Sequence, residues 1–295
     1  MYVPFTGLGL YGGYRGDRWL RNRIKIFKQF VIPSLLAQTD KRFILWVSWR
    51  HQERQNLQVQ ELKEYLTSSG FVVVFTYSGV CFWDDKYSDD VARDRLLNAL
   101  SGSMGELINY MGDAEDVLMT IQPSDDCYHR ETVEALQREF AETDYNVLGF
   151  KKGYVMDYTT LKLAEWNPTT TPPFYTIRFP RETFIDPLLH LKYTGPYKSH
   201  EYVKDFLKAH YDDERGFIVG THGENISTIF KHPFAHPLTE AVHLEDFGLD
   251  GVEPLKLRPS VRKWVMRKLP HGWQRKLRYW LGERFYSKFY KFIRS

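Results

Sequence analysis

The chain has 295 residues and a formal net charge of +3, with 43% hydrophobic, 26% charged and 16% aromatic residues. That length buries one substantial core without help from a disulfide or a structural metal, and the two cysteines, Cys81 and Cys127, lack the number and spacing of a disulfide framework or a zinc site. No window offers about 18 uninterrupted apolar residues, and residues 1–13 carry no basic stretch leading into an apolar one, so the expected compartment is the cytoplasm, without a membrane span or a secretion signal.

The first residues of note are Gly7, Gly9, Gly12, Gly13 and Gly16, whose spacing matches neither a dinucleotide fingerprint nor a phosphate loop and reads as tight turns. Residues 18–38 predict a helix with Trp19, Ile24, Phe27, Phe30 and Leu35 on one apolar stripe, kinked by Pro33 or restarted at Ser34. Residues 42–49 (RFILWVSW) predict a buried strand, 57–69 a helix stopped by Gly70, and 71–77 (FVVVFTY) a second buried strand. An acidic loop with Asp84, Asp85, Asp89 and Asp90 leads to a long amphipathic helix over 91–111. A strand over 117–121 (VLMTI) then runs into Pro123-Ser124-Asp125-Asp126, followed by a helix over 130–142 and a strand over 147–150. This alternation predicts right-handed βαβ units and an open, largely parallel sheet flanked by helices.

The second half is less regular, with the Pro-rich stretch 167–174 (NPTTTPPF), short strands near 175–179 and 217–220, and a helix near 200–210. No internal repeat or low-complexity linker divides the chain, so residues 1–255 read as one domain and 256–295 as a basic helical tail. From Lys256 onward, thirteen Lys and Arg residues face the single acid Glu283, which leaves the rest of the chain net acidic. Within the tail, Trp273, Leu277, Leu281, Phe285, Phe289 and Phe292 fall near one helical face, with Arg278, Arg284, Lys288 and Lys291 around it. That is the pattern of a helix lying in the headgroup layer of an anionic membrane; the alternative is a helix docked on its own domain. A nucleic-acid partner is not expected, because the basic residues are interleaved with an apolar face.

In an open parallel sheet, ligands bind at the carboxyl ends of the strands, and Asp125 and Asp126 fall there. Two adjacent carboxylates on a tight turn, with Ser124 to orient one of them, suit a Mg2+ or Mn2+ ion that also holds substrate phosphate. The same pair equally suits a cap on the N-terminus of the following helix.

The stretch 30–49 (FVIPSLLAQTDKRFILWVSW) and the strand-PSDD-CYH block at 117–129 resemble parts of a bacterial group of rhamnosyltransferase-like glycosyltransferases of the GT-A type. Pro172-Pro173-Phe174, Ser199-His200-Glu201 and residues 221–228 (THGENIST) resemble later blocks of the same group, so the likeness spans most of 19–233. It implies a GT-A-like fold with an open mixed, mainly parallel sheet, a nucleotide-diphosphate sugar donor and a glycan or lipid-linked acceptor. It also implies a Mn2+ or Mg2+ cofactor and a part in cell-surface polysaccharide synthesis. Asp125 and Asp126 match the second and third acids of the group's Asp-x-Asp-Asp turn, while Pro123 stands where its first acid is expected.

The resemblance further implies that a histidine of the second half, His222, completes the metal shell beside Asp125 and Asp126, with His129 as competitor. Arg93 and Arg95, with Asp84 and Asp85, Ser124 and Asp125, are the residues expected on the sugar nucleotide, although the first four also read as solvated loop charges. An inverting transfer needs a base for the acceptor hydroxyl, and a retaining one does not. Glu201 is the first candidate and Asp186 the second, and Ser199-His200-Glu201 also reads as a plain helix N-terminus. The expected activity is hexosyl or deoxyhexosyl transfer by a protein peripheral on the inner face of the cell membrane. The alternative is a catalytically impaired sugar-nucleotide-binding or scaffold protein that kept the fold when Pro123 replaced an acid.

Overall fold

The computed structural model describes residues 1–6, 17–77, 89–194, 200, 203–222, 225 and 228–257, and for residues 89–93 the backbone alone. The chain opens with β1 (Tyr2–Pro4) and continues into a helical rod made of α1 (Asp17–Ile26), a π-helical turn (Phe27–Val31) and α2 (Ile32–Ala37). Helical structure is continuous from Asp17 to Ala37, so no fresh helix begins at Ser34. A proline removes one N–H and crowds the carbonyl four residues back. The wider turn, in which the Ile32 N–H reaches Phe27 O, absorbs both effects, and Pro33 falls in the first turn of α2.

Next come β2 (Ile44–Ser48), a 3-10 turn (His51–Gln55), α3 (Leu57–Ser68) and β3 (Val72–Thr76). The Asn56 side chain caps α3 by accepting from the Gln58 N–H, and Gly70 at φ 87 ends it in the left-handed region. β1, β2 and β3 pair in parallel, as the βαβ order predicts. Alternate residues of these strands enter different cores. Val3, Leu45, Val47 and Phe75 pack with Leu20, Phe27, Leu35 and Leu62 of the rod and α3. Tyr2, Trp46 and Val74 join the other core, which includes Leu96, Leu100 and Met104 of α4 (Asp89–Leu107). Burial on both faces is why these strands read as unbroken apolar runs in the sequence.

Beyond α4 the chain forms β4 (Asp116–Thr120), β5 (Cys127–Tyr128), α5 (Thr132–Glu142), β6 (Val147–Asp157), β7 (Lys162–Trp166) and β8 (Tyr175–Pro180). It then forms α6 (Arg181–Ile185), α7 (Pro187–Thr194), α8 (Val203–Phe206), β9 (Ala209–Thr221) and β10 (Ala235–His236). A parallel bridge between Tyr2 and Ile121, with the Gln122 N–H donating to Tyr2 O at 2.8 Å, joins β1 to the end of β4. The strands therefore run 3-2-1-4, and their order reverses between β1 and β4. On the far side the pairing is mixed: β4 with β8 and β8 with β6 are antiparallel, β6 with β9 is parallel, and β9 with β5 is antiparallel. β7 pairs antiparallel with the end of β6, and β10 with β7. The mixed α/β sheet flanked by helices anticipated from the sequence is thus present.

The helix expected near 200–210 ends at Phe206 with α8, because Ala209 and His210 open β9 instead. Val147 and Leu148 pair with them, and the N–H groups of Asn146 and Val147 both donate to Lys208 O. Tertiary pairing overrides the local helical preference there. Among the described residues no helix is long and apolar enough to cross a membrane.

Candidate active site

The residues after β4 turn back at the strand-order reversal, where open α/β sheets form their ligand crevice. Four contacts shape the turn. The Gln122 Nε2 amide donates to Pro123 O at 2.9 Å and to Asp126 O at 2.8 Å. The Tyr158 hydroxyl donates to Asp125 O at 2.9 Å, and Tyr158 itself is stacked on Phe30 with centroids 3.6 Å apart. The Gly220 N–H donates to Asp126 Oδ1 at 2.9 Å. Cys127 and Tyr128 then pair with Ile218 and Phe217, so the end of β9 is held against the turn. Cys127 is buried among these groups; burial pushes its thiol up to about 12, which leaves it packing and no nucleophile.

The side chain of Asp125 points at three donors. Its Oδ2 lies 2.5 Å from Arg23 Nη1, 3.1 Å from His222 Nε2 and 3.2 Å from Asn225 Nδ2. Asn225 in turn donates to Gly220 O at 2.6 Å and accepts from the His222 N–H at 2.8 Å, so one amide ties the end of β9 to the carboxylate. Burial pushes the Asp125 carboxyl up, but the Arg23 charge and the His222 hydrogen bond outweigh it and hold the group below the usual carboxylate range. Asp126 goes the other way: burial and the neighbouring Asp125 charge push it well above that range.

A carboxylate and an imidazole are donor types that suit a divalent ion with few protein ligands. Asp125 Oδ2 and His222 Nε2 share a hydrogen bond of 3.1 Å, and an ion held by both would replace the proton between them. Among the described residues no group of three His, Cys, Asp or Glu side chains is arranged to hold a metal. A two-ligand site that leaves positions for water and phosphate oxygens is the habit of Mg2+ and Mn2+, not of a closed structural site.

The structure thus brings together Asp125, Asp126 and His222, and places Ser124 buried in the same turn. His129 does not join them: its Nδ1 accepts from the Glu131 N–H, and its ring meets Phe247 edge-on. Asp186 is exposed, and its Oδ1 caps α7 by accepting the N–H groups of Leu188 and Leu189. Arg95 is exposed on α4. Asp84, Asp85, Glu201 and the tail from 258 onward lie outside the described residues, as does the side chain of Arg93.

Sequence reasoning overlooked Arg23, Asn225 and Gln122. Arg23 is 8% exposed and lies on the face of α1 that buries Leu20 and Ile24. A charged residue inside that stripe was the available signal. A second overlooked cluster lies at the carboxyl ends of β1 and β2. There the Thr6 hydroxyl donates to Glu53 Oε2 at 2.9 Å and accepts from the Arg50 N–H at 3.1 Å, while the Arg50 guanidinium pairs with Glu53 Oε1.

Because Asn225 connects His222, Gly220 and Asp125, Asn225→Ala is expected to weaken cation binding and donor turnover by about 10- to 100-fold. Stability should fall by only about 1–2 kcal/mol. Turnover assays beside urea denaturation check this, and an unchanged turnover would remove Asn225 from the site.

No family model matches the chain, and no curated protein does. Among solved structures the chain is similar to S. aureus TarS 1–349 in complex with UDP-GlcNAc, at 14% identity and a TM-score of 0.43, over 75% of this chain and 58% of that one. It is similar to TarS 1–349 alone at 15% identity and a TM-score of 0.40, over 74% and 59%. For the longer TarS structure the values are 16% and 0.37, over 75% and 36%. The chain therefore spans less than two thirds of each of these proteins.

Proposed function

We propose that the chain is a glycosyltransferase of the GT-A type that moves a hexosyl or deoxyhexosyl group from a nucleotide-diphosphate donor to a glycan or lipid-linked acceptor, with Mn2+ or Mg2+ as cofactor. The observation that carries this reading is the pairing of Asp125, at the strand-order reversal, with His222 at 3.1 Å across 97 residues of sequence. Asp125 and His222 would hold the ion, which when bound neutralises the charge of the departing nucleoside diphosphate.

The chain's own groups supply the rest. Asn225 and the Tyr158 hydroxyl fix the direction of Asp125, and Gln122 fixes the turn. Asp126, whose Oδ1 accepts from the Gly220 N–H, fixes the end of β9 against it. The nucleoside belongs at the carboxyl ends of β1 to β3, near the Thr6, Arg50 and Glu53 cluster, and Arg93, Arg95, Asp84 and Asp85 are the residues proposed to bind the sugar nucleotide. If configuration inverts, Glu201 is the first choice to take the acceptor's proton and Asp186 the second. The basic tail would bring the enzyme to the inner face of an anionic membrane, where lipid-linked acceptors are found.

Purified protein offered UDP-, GDP- and dTDP-sugars tests this. At least one donor is expected to release nucleoside diphosphate with Mn2+ or Mg2+ present and not with EDTA; release indifferent to EDTA contradicts the cation. A second reading, a sugar-nucleotide-binding scaffold, is favoured by Pro123 in place of an acid and by the guanidinium already lodged against Asp125. Calorimetric binding without turnover would support it.

A further inference from the structure

We propose that Arg23 is a displaceable internal cation: it neutralises Asp125 in the resting protein, then yields that carboxylate to the divalent ion while its own fork moves to the donor's diphosphate. This rests on the donor and cation reading above.

Three features of the site lead to it. The Arg23 Nη1 atom lies 2.5 Å from Asp125 Oδ2, the oxygen that also faces His222, so the guanidinium and a divalent ion would compete for one side of one carboxylate. A buried carboxylate needs a counter-charge at all times, and two cations crowded on the same oxygen repel each other. One must leave when the other enters.

Arg23 also has donors to spare. Its side chain is 10% exposed, yet apart from the pairing with Asp125 its guanidinium makes no hydrogen bond among the described residues. The planar fork can therefore offer several N–H groups at once to phosphate oxygens, which it matches in geometry. Finally, the group can travel without moving the fold. The backbone of Arg23 is fixed in α1, while the guanidinium ends a long flexible stem and rests 5.6 Å from the Trp19 ring centroid, a surface along which it can slide.

The exchange couples two ligands. If a nucleoside diphosphate raises the affinity for the ion by some factor, the ion must raise the affinity for the diphosphate by the same factor.

The test is titration of Mn2+ alone, followed by electron paramagnetic resonance of the free ion, into the full chain and its Arg23→Gln and Arg23→Lys variants, repeated with UDP, GDP and dTDP. Wild type is expected to bind Mn2+ weakly alone and about tenfold or more tightly with the matching diphosphate. Arg23→Gln should bind Mn2+ alone about tenfold more tightly than wild type and lose most of the enhancement. Arg23→Lys keeps the charge without the fork, so Mn2+ alone stays weak while diphosphate binding falls about tenfold. Thermal melts establish that each variant is folded, and if Arg23→Gln is not, the lysine variant decides.

Equal Mn2+ affinity of wild type and Arg23→Gln, or full diphosphate affinity in Arg23→Lys, overturns the exchange and leaves the donor reading standing. Diphosphate binding by proteins that never take up Mn2+ removes the exchange and the cation but keeps the donor. Failure of every diphosphate to bind removes all three.

Discussion

Replacing Asp125 by asparagine is expected to lower donor turnover by about three orders of magnitude, the scale on which a preorganised charge at a developing anion acts. Asparagine keeps the shape of the side chain but deletes the charge that Arg23, His222 and Asn225 all face. It leaves the Arg23 guanidinium buried without a counter-ion, and breaking such a pair from one side costs about 3–5 kcal/mol. The variant should therefore lose both activity and a large share of its stability, read from nucleoside diphosphate release and from urea denaturation. Acid sensitivity changes as well. The folded-state carboxyl of Asp125 lies below its ordinary value, so its contribution is present at neutral pH and is lost as the pH falls through the carboxylate range toward that depressed value. The asparagine protein lacks that component of acid unfolding.

Gly220→Ala is the second large effect, expected to destabilise the fold by about 3 kcal/mol or more, beyond ordinary overpacking. A Cβ at this position would lie 2.2 Å from Asp125 O and 2.3 and 2.4 Å from two ring atoms of Tyr158. Neither neighbour can give way. Asp125 O is held by the Tyr158 hydroxyl, and the Tyr158 ring is stacked on Phe30 at an interplanar angle of 6°. Relief would require β9 to separate from the turn, undoing the Gly220 N–H bond to Asp126 and moving His222 away from Asp125. A matched control is Gly105→Ala in α4, where nothing lies within 4 Å of the added Cβ. Helix propensity alone should make that variant about 0.5–1 kcal/mol more stable. Urea midpoints moving in opposite directions for the two glycines would bear out the packing argument.

The first half of the fold was legible because its chemistry is simple. β2 and the second half of β3 are buried on both faces and appear in the runs RFILWVSW and FVVVFTY, and α3 is bracketed by a capping Asn56 and a stopping Gly70. The second half hid its strands. β9 begins as Ala209-His210-Tyr211-Asp212-Asp213-Glu214-Arg215, a largely polar run that reads as the end of a helix until Lys208 O is seen accepting the Asn146 and Val147 N–H groups. β7 carries little local signal, and the turn before it depends on Leu161 at φ 57, a conformation that a leucine does not advertise.

The site divides in the same way. Asp125 and His222 can be picked out by residue type and by the blocks around them, but their meeting depends on β9 running beside β6 and folding against β5, which no local pattern encodes. Arg23 was overlooked because arginine on an amphipathic helix is usually a solvated charge. Its place between the buried positions Leu20 and Ile24 carries the information, and only the turn after β4 explains it.

The most direct measurement is anomalous diffraction at the manganese edge from a crystal grown with Mn2+ and the nucleoside diphosphate that binds best. The account predicts one peak bonded to Asp125 and His222, with diphosphate oxygens on its open side and the Arg23 guanidinium withdrawn from Asp125. A diphosphate bound in the crevice with no manganese beside Asp125, and Arg23 still paired to that carboxylate, would contradict it.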